Sequence, residues 1–102
     1  MNKDEQTVWH IVTPQKRLDN ETAEMFTAAL LAALAVHVRV AVDCAVVDYI
    51  SSAGLGALLE GARTARTTDR QFSVYRPSAR VRQVLETSRL HDVLNIQEFL
   101  PC

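Results

Sequence analysis

Residues 46 to 62 read VVDYISSAGLGALLEGA, an apolar, β-branched run that meets two serines and passes straight into a helical pattern. A serine pair at a strand-to-helix junction can attack a carbonyl, help cradle a bound phosphate, or carry a covalent phosphate itself. Attack needs an activating base and an exposed elbow. The pattern G-x-S-x-G is absent, because Asp48, Tyr49 and Ile50 precede Ser51 and Ser52, and no histidine is placed as a base. A phosphate cradle needs a glycine-rich loop, and neither the spacing and lysine of a P-loop nor G-x-G-x-x-G occurs. What remains is position. Ligand and modification sites of open α/β sheets gather where strands end and helices begin. A helix N-terminus there offers unpaired N–H groups and a partial positive charge, so a serine can cap it or carry a phosphate on it. The two uses share one geometry, and the residues leave the choice open. Tyr49 reads as a packing residue with a wet hydroxyl.

Other reactive side chains form no constellation. His10, His37 and His91 are dispersed, without the i, i+4 spacing of a helical metal site. Cys44 and Cys102 have no metal-ligand spacing and indicate no disulfide framework; Cys44 reads as a small buried hydrophobe. No metal and no cofactor is expected. The formal net charge is -1 and no Lys/Arg cluster tracks a phosphate backbone, which argues against nucleic acid as a partner. The longest apolar tract, AALLAALAV from Ala28 to Val36, falls well short of the roughly 20 residues that span a bilayer. The opening MNKDEQT is polar rather than signal-like, so a cytoplasmic protein is expected.

The elements that must position the serines follow from periodicity. At 102 residues the chain suits one domain, 1–102, with residues 1–6 as a flexible N-terminus. Residues 7–13 alternate as a strand with apolar groups on both faces, which predicts cover on both sides, and PQKRLD after it reads as a connection. A helix is predicted over 20–36, with Asp19 or Asn20 accepting from its first N–H groups and Ala23, Phe26, Leu30, Ala33 and Leu34 as its apolar stripe. VRVAVDCAVV, residues 38–47, has the composition of a central parallel strand. A second helix is predicted over 53–68, a strand over 71–75, and a third helix opened by Pro77 and capped by Ser78. The tail RLHDVLNIQEFLPC could add a helical turn and a short strand near Leu94 to Ile96. The order β-α-β-α-β-α predicts an α/β domain with a mainly parallel sheet of four to five strands.

With those elements in place, VAVDCAVVDYISSAGLGALLEGARTAR resembles the central motif of STAS domains, particularly bacterial anti-sigma factor antagonists, in which an apolar strand leads to D-S-S/T-G-L-G and a helix. RLDNETAEMFTAAL is similar to the family's L-D-x-x-T-A helix entry, and VYRPSARVRQVLETSRLHDVLNI to its strand, third helix and closing segment. Alignment on Gly54-Leu55-Gly56 places Ser51 at the motif aspartate, Ser52 at the serine that the family phosphorylates, and Ala53 at the following Ser/Thr. The resemblance therefore implies a binding protein rather than an enzyme. Its partners would be an anti-sigma factor that is also a serine kinase and, for resetting, a PP2C-like phosphatase. The docking surface would comprise Ser51, Ser52, Ala53, Gly54 and Leu55 with Leu59 and Arg63 further along the helix, although core packing explains the spacing of the leucines equally well. Three departures stand out: Ser51 for a carboxylate, Lys16 for a glycine ahead of R/E-L-D, and Arg89 for a glycine before Leu90. The stretch before Thr7 is also short for the extra edge strand of many relatives. Two alternatives stay open, a structural or sensory STAS module that is never phosphorylated and a nucleotide-binding module. Oligomeric state is left open.

Overall fold

Short apolar runs, each able to bury one face or one stripe, set the architecture. The computed structural model describes residues 8–99, so the expectations for residues 1–6 and for Cys102 lie outside the described residues. The elements are β1 (His10–Val12), β2 (Arg17–Leu18), α1 (Ala23–Val36), β3 (Arg39–Asp43), β4 (Tyr49–Ile50), α2 (Ser52–Thr67), β5 (Gln71–Tyr75), α3 (Ala79–Thr87) and β6 (Ile96–Gln97). Strands β1, β3, β5 and β6 form one parallel sheet in the order β1-β3-β5-β6, and β2 and β4 pair separately, also in parallel. The chain is thus α/β, as its element order predicts.

Val40, Ala41 and Val42 of β3 are fully buried, which is why this run carries no polar alternation. Register sets Val40 beside His10 on one flank and Phe72 on the other, and Val42 beside Val12 and Val74. The strand stops four residues earlier than the predicted 38–47. Asp43 ends it: its carboxylate accepts from the Ala45 N–H at 3.1 Å in a side-chain turn and pairs with Arg76 at 2.6 Å. The remaining residues do not rejoin the main sheet. They carry the chain past Lys16, whose carbonyl accepts from the Asp48 N–H at 2.8 Å, into the β2–β4 pair. Two-residue strands have no period to detect: the sequence reads Arg17–Leu18 as part of a connection and Tyr49–Ile50 only as the end of the apolar run that leads to the serines.

β1 departs from expectation too. His10 and Ile11 are exposed although Trp9 is buried, because β1 lies at the end of the sheet with β3 as its one neighbour among the described residues. α1 buries Ala23, Phe26, Leu30 and Leu34 at helical spacing and packs on α2, where a Cβ at Gly61 would meet Leu30 Cδ2 at 2.4 Å. Its start is Ala23 rather than Asn20, since Asp19 holds residues 19–22 as a turn: its Oδ1 accepts from the N–H groups of Glu21 and Thr22 at 3.0 and 3.3 Å. β5 keeps its predicted bounds. Ser78 caps α3 as expected, accepting from the Val81 N–H at 3.2 Å and donating to the Val47 carbonyl at 2.5 Å, which ties that helix to the loop before β4. Arg89, where the resemblance implies a glycine, adopts φ 58°, the left-handed region that a glycine would occupy without strain.

Candidate functional site

The Ser51–Ser52 junction is built from below by the small sheet. Because Arg17 pairs with Tyr49 and Leu18 with Ile50, the Leu18 carbonyl projects beyond the end of β4 and accepts the Ser51 N–H at 3.0 Å. The chain turns there into α2, whose first turn lies directly on β2. A Cβ at Gly54 would stand 2.3 Å from that same Leu18 oxygen and 2.9 Å from Ile50 Cγ1. Only a residue without a side chain fits between α2 and β2.

This seating separates the roles of the serines. Ser51 is extended (φ -97°, ψ 178°); its hydroxyl accepts from the Gly54 N–H at 3.2 Å and its carbonyl from the Leu55 N–H at 2.9 Å. It is the N-cap, and serine and aspartate are about equally good in that position. Relative to the aspartate that the resemblance implies here, a serine at position 51 therefore keeps the cap and carries no negative charge. Ser52 is the first residue of the helix, exposed, and among the described residues no hydrogen bond engages its hydroxyl. No acidic residue lies in the first turn of α2, so the partial positive charge of the helix start is not offset from within the helix.

The other residues named from the sequence divide between interior and surface. Gly54 is buried and is a packing residue; Ala53, Leu55 and Leu59 are half-buried against the core; Arg63 is exposed, 3.9 Å from Glu60. Leu55, Leu59 and Arg63 recur at i, i+4 and i+8, which sets them along one side of α2. Gly56 was not among the contacts proposed from sequence, yet it is exposed and a Cβ there would meet nothing within 4 Å. Packing does not require this glycine, which costs a helix interior about 1 kcal/mol relative to alanine. It leaves a flat place beside Ser52, and its helical phase alone would have marked it.

Beside Ser51 a shallow groove is lined by Arg17, Asp19, Asn20, Glu21 and Tyr49. The Arg17 guanidinium lies 4.3 Å from the centroid of the Tyr49 ring and its Nε donates to Asp19 Oδ2 at 3.4 Å. Burial pushes the Asp19 carboxyl up, but hydrogen bonds from the backbone N–H groups of Glu21 and Thr22, with the bond and charge of Arg17, more than offset it and hold the group below its ordinary value.

Neither His10 nor His37 approaches the serines. His10 and His37 stack on each other, centroids 3.9 Å apart, at the amino end of the sheet, whereas Ser51 follows the carboxyl end of β4. Among the described residues no group of three or more His, Cys, Asp or Glu side chains could hold a metal, and no helix is long and apolar enough to cross a membrane. Cys44 is a free thiol that burial, with Asp43 nearby, pushes up to about 12, so it is no nucleophile near neutral pH.

Residues 10–98 match the family model described as "Mlab, STAS domain". Solved structures share the fold, three of them as follows. A Thermotoga maritima protein described as a candidate anti-sigma factor antagonist is 19% identical, with a TM-score of 0.76 over 87% of this chain and 80% of that one. The anti-sigma factor antagonist SpoIIAA in its unphosphorylated form is 18% identical, with a TM-score of 0.72 over 89% of this chain and 81% of that one. The Bacillus cell fate determinant SpoIIAA in its phosphorylated form is 18% identical, with a TM-score of 0.67 over 85% of this chain and 80% of that one. No curated protein matches the chain in sequence.

Proposed function

The chain belongs to the STAS domain family, and on that premise we propose that it is an anti-sigma factor antagonist whose binding is switched by phosphorylation of Ser52. In the unphosphorylated state the Ser52 loop and the exposed side of α2, with Leu55, Gly56, Leu59 and Arg63, dock on an anti-sigma factor and displace the sigma factor. The partner is also the kinase, and a phosphatase resets the switch. The chain itself binds and does not catalyse. The observation that carries this reading is the division of labour at the junction: Ser51 spends its hydroxyl on the Gly54 N–H, while Ser52 is exposed and its hydroxyl makes no hydrogen bond among the described residues.

The physics of release follows from that position. A phosphate adds about 1.5 to 2 negative charges and tolerates a helix N-terminus, so the fold survives while an interface that buried a neutral hydroxyl would have to desolvate a dianion. With Ser51 in place of aspartate, the phosphorylated loop carries one negative charge fewer than the family's motif does. Incubation with a kinase-type anti-sigma factor and ATP tests the assignment. Label should appear at Ser52, persist in Ser51→Ala and vanish in Ser52→Ala; label on Ser51 would overturn it.

A second reading, a STAS interaction module that is never phosphorylated, is favoured by the same Ser51, since no carboxylate stands next to Ser52 to orient the acceptor or meet a kinase. Failure of the kinase to label the folded protein, with partner binding intact, would select it.

A further inference from the structure

We propose that Arg17 is the side chain that reads the phosphate on Ser52, exchanging its present partner Asp19 for the new dianion; the inference rests on Ser52 as the modified residue and adds the internal response. Three observations converge on Arg17. The β2–β4 register sets it opposite Tyr49, and the face that carries Tyr49 also carries Ser51 two residues on, so Arg17, Tyr49 and Ser51 line one groove beside the start of α2. The guanidinium is held against the Tyr49 ring, and Nε makes a long bond of 3.4 Å to Asp19 Oδ2, which leaves its terminal nitrogens as uncommitted donors among the described residues. The side chain is more than half exposed and can move.

The groups around the groove bias the exchange. Asp19 has other donors, the N–H groups of Glu21 and Thr22, and keeps its capping turn when Arg17 leaves. Lys16, the nearest other cation in sequence, is 3.9 Å from Asp48 and is itself exposed. Glu21 lines the same groove and opposes a phosphate there, so Arg17 is the donor that offsets that repulsion. A planar fork of N–H groups meeting a phosphate makes charge-assisted, bidentate bonds that an isolated carboxylate contact through Nε does not match. The groove is no free-anion site: its lining ends at Ser51, and a phosphate tethered to the next residue, Ser52, meets the exposed arginine by reaching back past Ser51. The consequence is local and reversible, a single side chain turning from α1's capping turn toward α2.

The test uses the full chain with phosphoserine incorporated at position 52 by nonsense suppression, so that it does not depend on a kinase. The second ionisation of the phosphate is followed by phosphorus NMR in protein with Arg17, Arg17→Gln and Arg17→Lys. Arg17 should raise the acid dissociation constant about two- to fourfold over Arg17→Gln, an opposite charge nearby favouring the dianion, with Arg17→Lys between them. In parallel, nitrogen NMR of the Arg17 side chain should show its guanidinium signal shifting through the second ionisation of the phosphate, with no such shift in the unmodified protein. Amide spectra of unmodified Arg17→Gln check that the Asp19 turn is intact. Identical phosphate titrations in all three proteins, or an Arg17 side-chain signal unmoved through that ionisation, would overturn the exchange. Either outcome stands apart from whether a kinase labels Ser52, the result on which the proposed function turns.

Discussion

The glycines of α2 should respond to the same substitution with opposite signs, because the helix presents them to three different surroundings. At Gly56 a Cβ meets nothing within 4 Å, so alanine gains helix propensity at no packing cost, about 0.5–1 kcal/mol. At Gly54 the Cβ stands 2.3 Å from the Leu18 carbonyl oxygen, a backbone atom that already accepts the Ser51 N–H. Relief requires α2 and β2 to separate, which costs about 1–3 kcal/mol for overpacking and about 1 kcal/mol more for the strained hydrogen bond, less the propensity gain. The net expectation for Gly54→Ala is a loss of about 2 kcal/mol. At Gly61 the nearest atom, Leu30 Cδ2 at 2.4 Å, belongs to a side chain, but a fully buried one with Phe72 behind it, so the loss should be smaller without vanishing. A domain of this size moves its midpoint by about 4–8 °C per kcal/mol. Thermal melts should therefore place Gly56→Ala about 4 °C above wild type and Gly54→Ala about 8–16 °C below it. Gly54→Ala melting with wild type, or Gly56→Ala melting below it, would refute the seating of α2 on β2 from which the junction is built.

Other substitutions test the remaining supports. Ser51→Ala should lose about 1 kcal/mol in urea unfolding through the lost cap, whereas Ser51→Asp should stay close to wild type; equal losses would mean the hydroxyl is not the cap. Arg89→Gly should gain about 0.5–1 kcal/mol by relieving a left-handed backbone, and a loss in the same unfolding assay would contradict the conformation given for Arg89. The folded-state carboxyl of Asp19 lies below its ordinary 3.8, so its contribution is complete above that value and fades as pH falls through the folded one. The gap in urea midpoint between wild type and Asp19→Asn should accordingly be widest near neutrality and close as pH falls below 3.8, and a gap unchanged across that range would remove Asp19 from the α1 turn.

Periodic segments were legible in the sequence, and a serine ahead of an apolar stripe was enough to place the start of α3. The small sheet was not. Arg17–Leu18 and Tyr49–Ile50 are strands by virtue of each other, and two residues carry no alternation to detect. That hidden pair also decides the question the motif posed. Ser51 and Ser52 are the same residue type and either could cap; the Leu18 carbonyl, by fixing the Ser51 N–H, determines which one does. Composition misled at two neighbouring strands of the main sheet. The β-branched run 38–47 reads as one strand until Asp43 folds its carboxylate back on the Ala45 N–H. Val8 to Val12 has apolar groups on both faces, yet at the edge of the sheet two of its three strand residues face outward. Arg89 was conspicuous as a departure from the family, and its positive φ gives the physical reason a glycine is usual there.

The central claim is that Ser52 is a switch and Ser51 its cap. Affinity capture with wild type and Ser52→Glu side by side, followed by titration of the captured kinase-type anti-sigma factor against both purified proteins, tests it most directly. Wild type should bind and the charged variant should bind at least about tenfold more weakly while melting at the same temperature, since the charge sits where the helix start tolerates it and an interface does not. Equal affinity of the two proteins for the same partner would contradict the claim and leave a constitutive binding module with two well-placed serines.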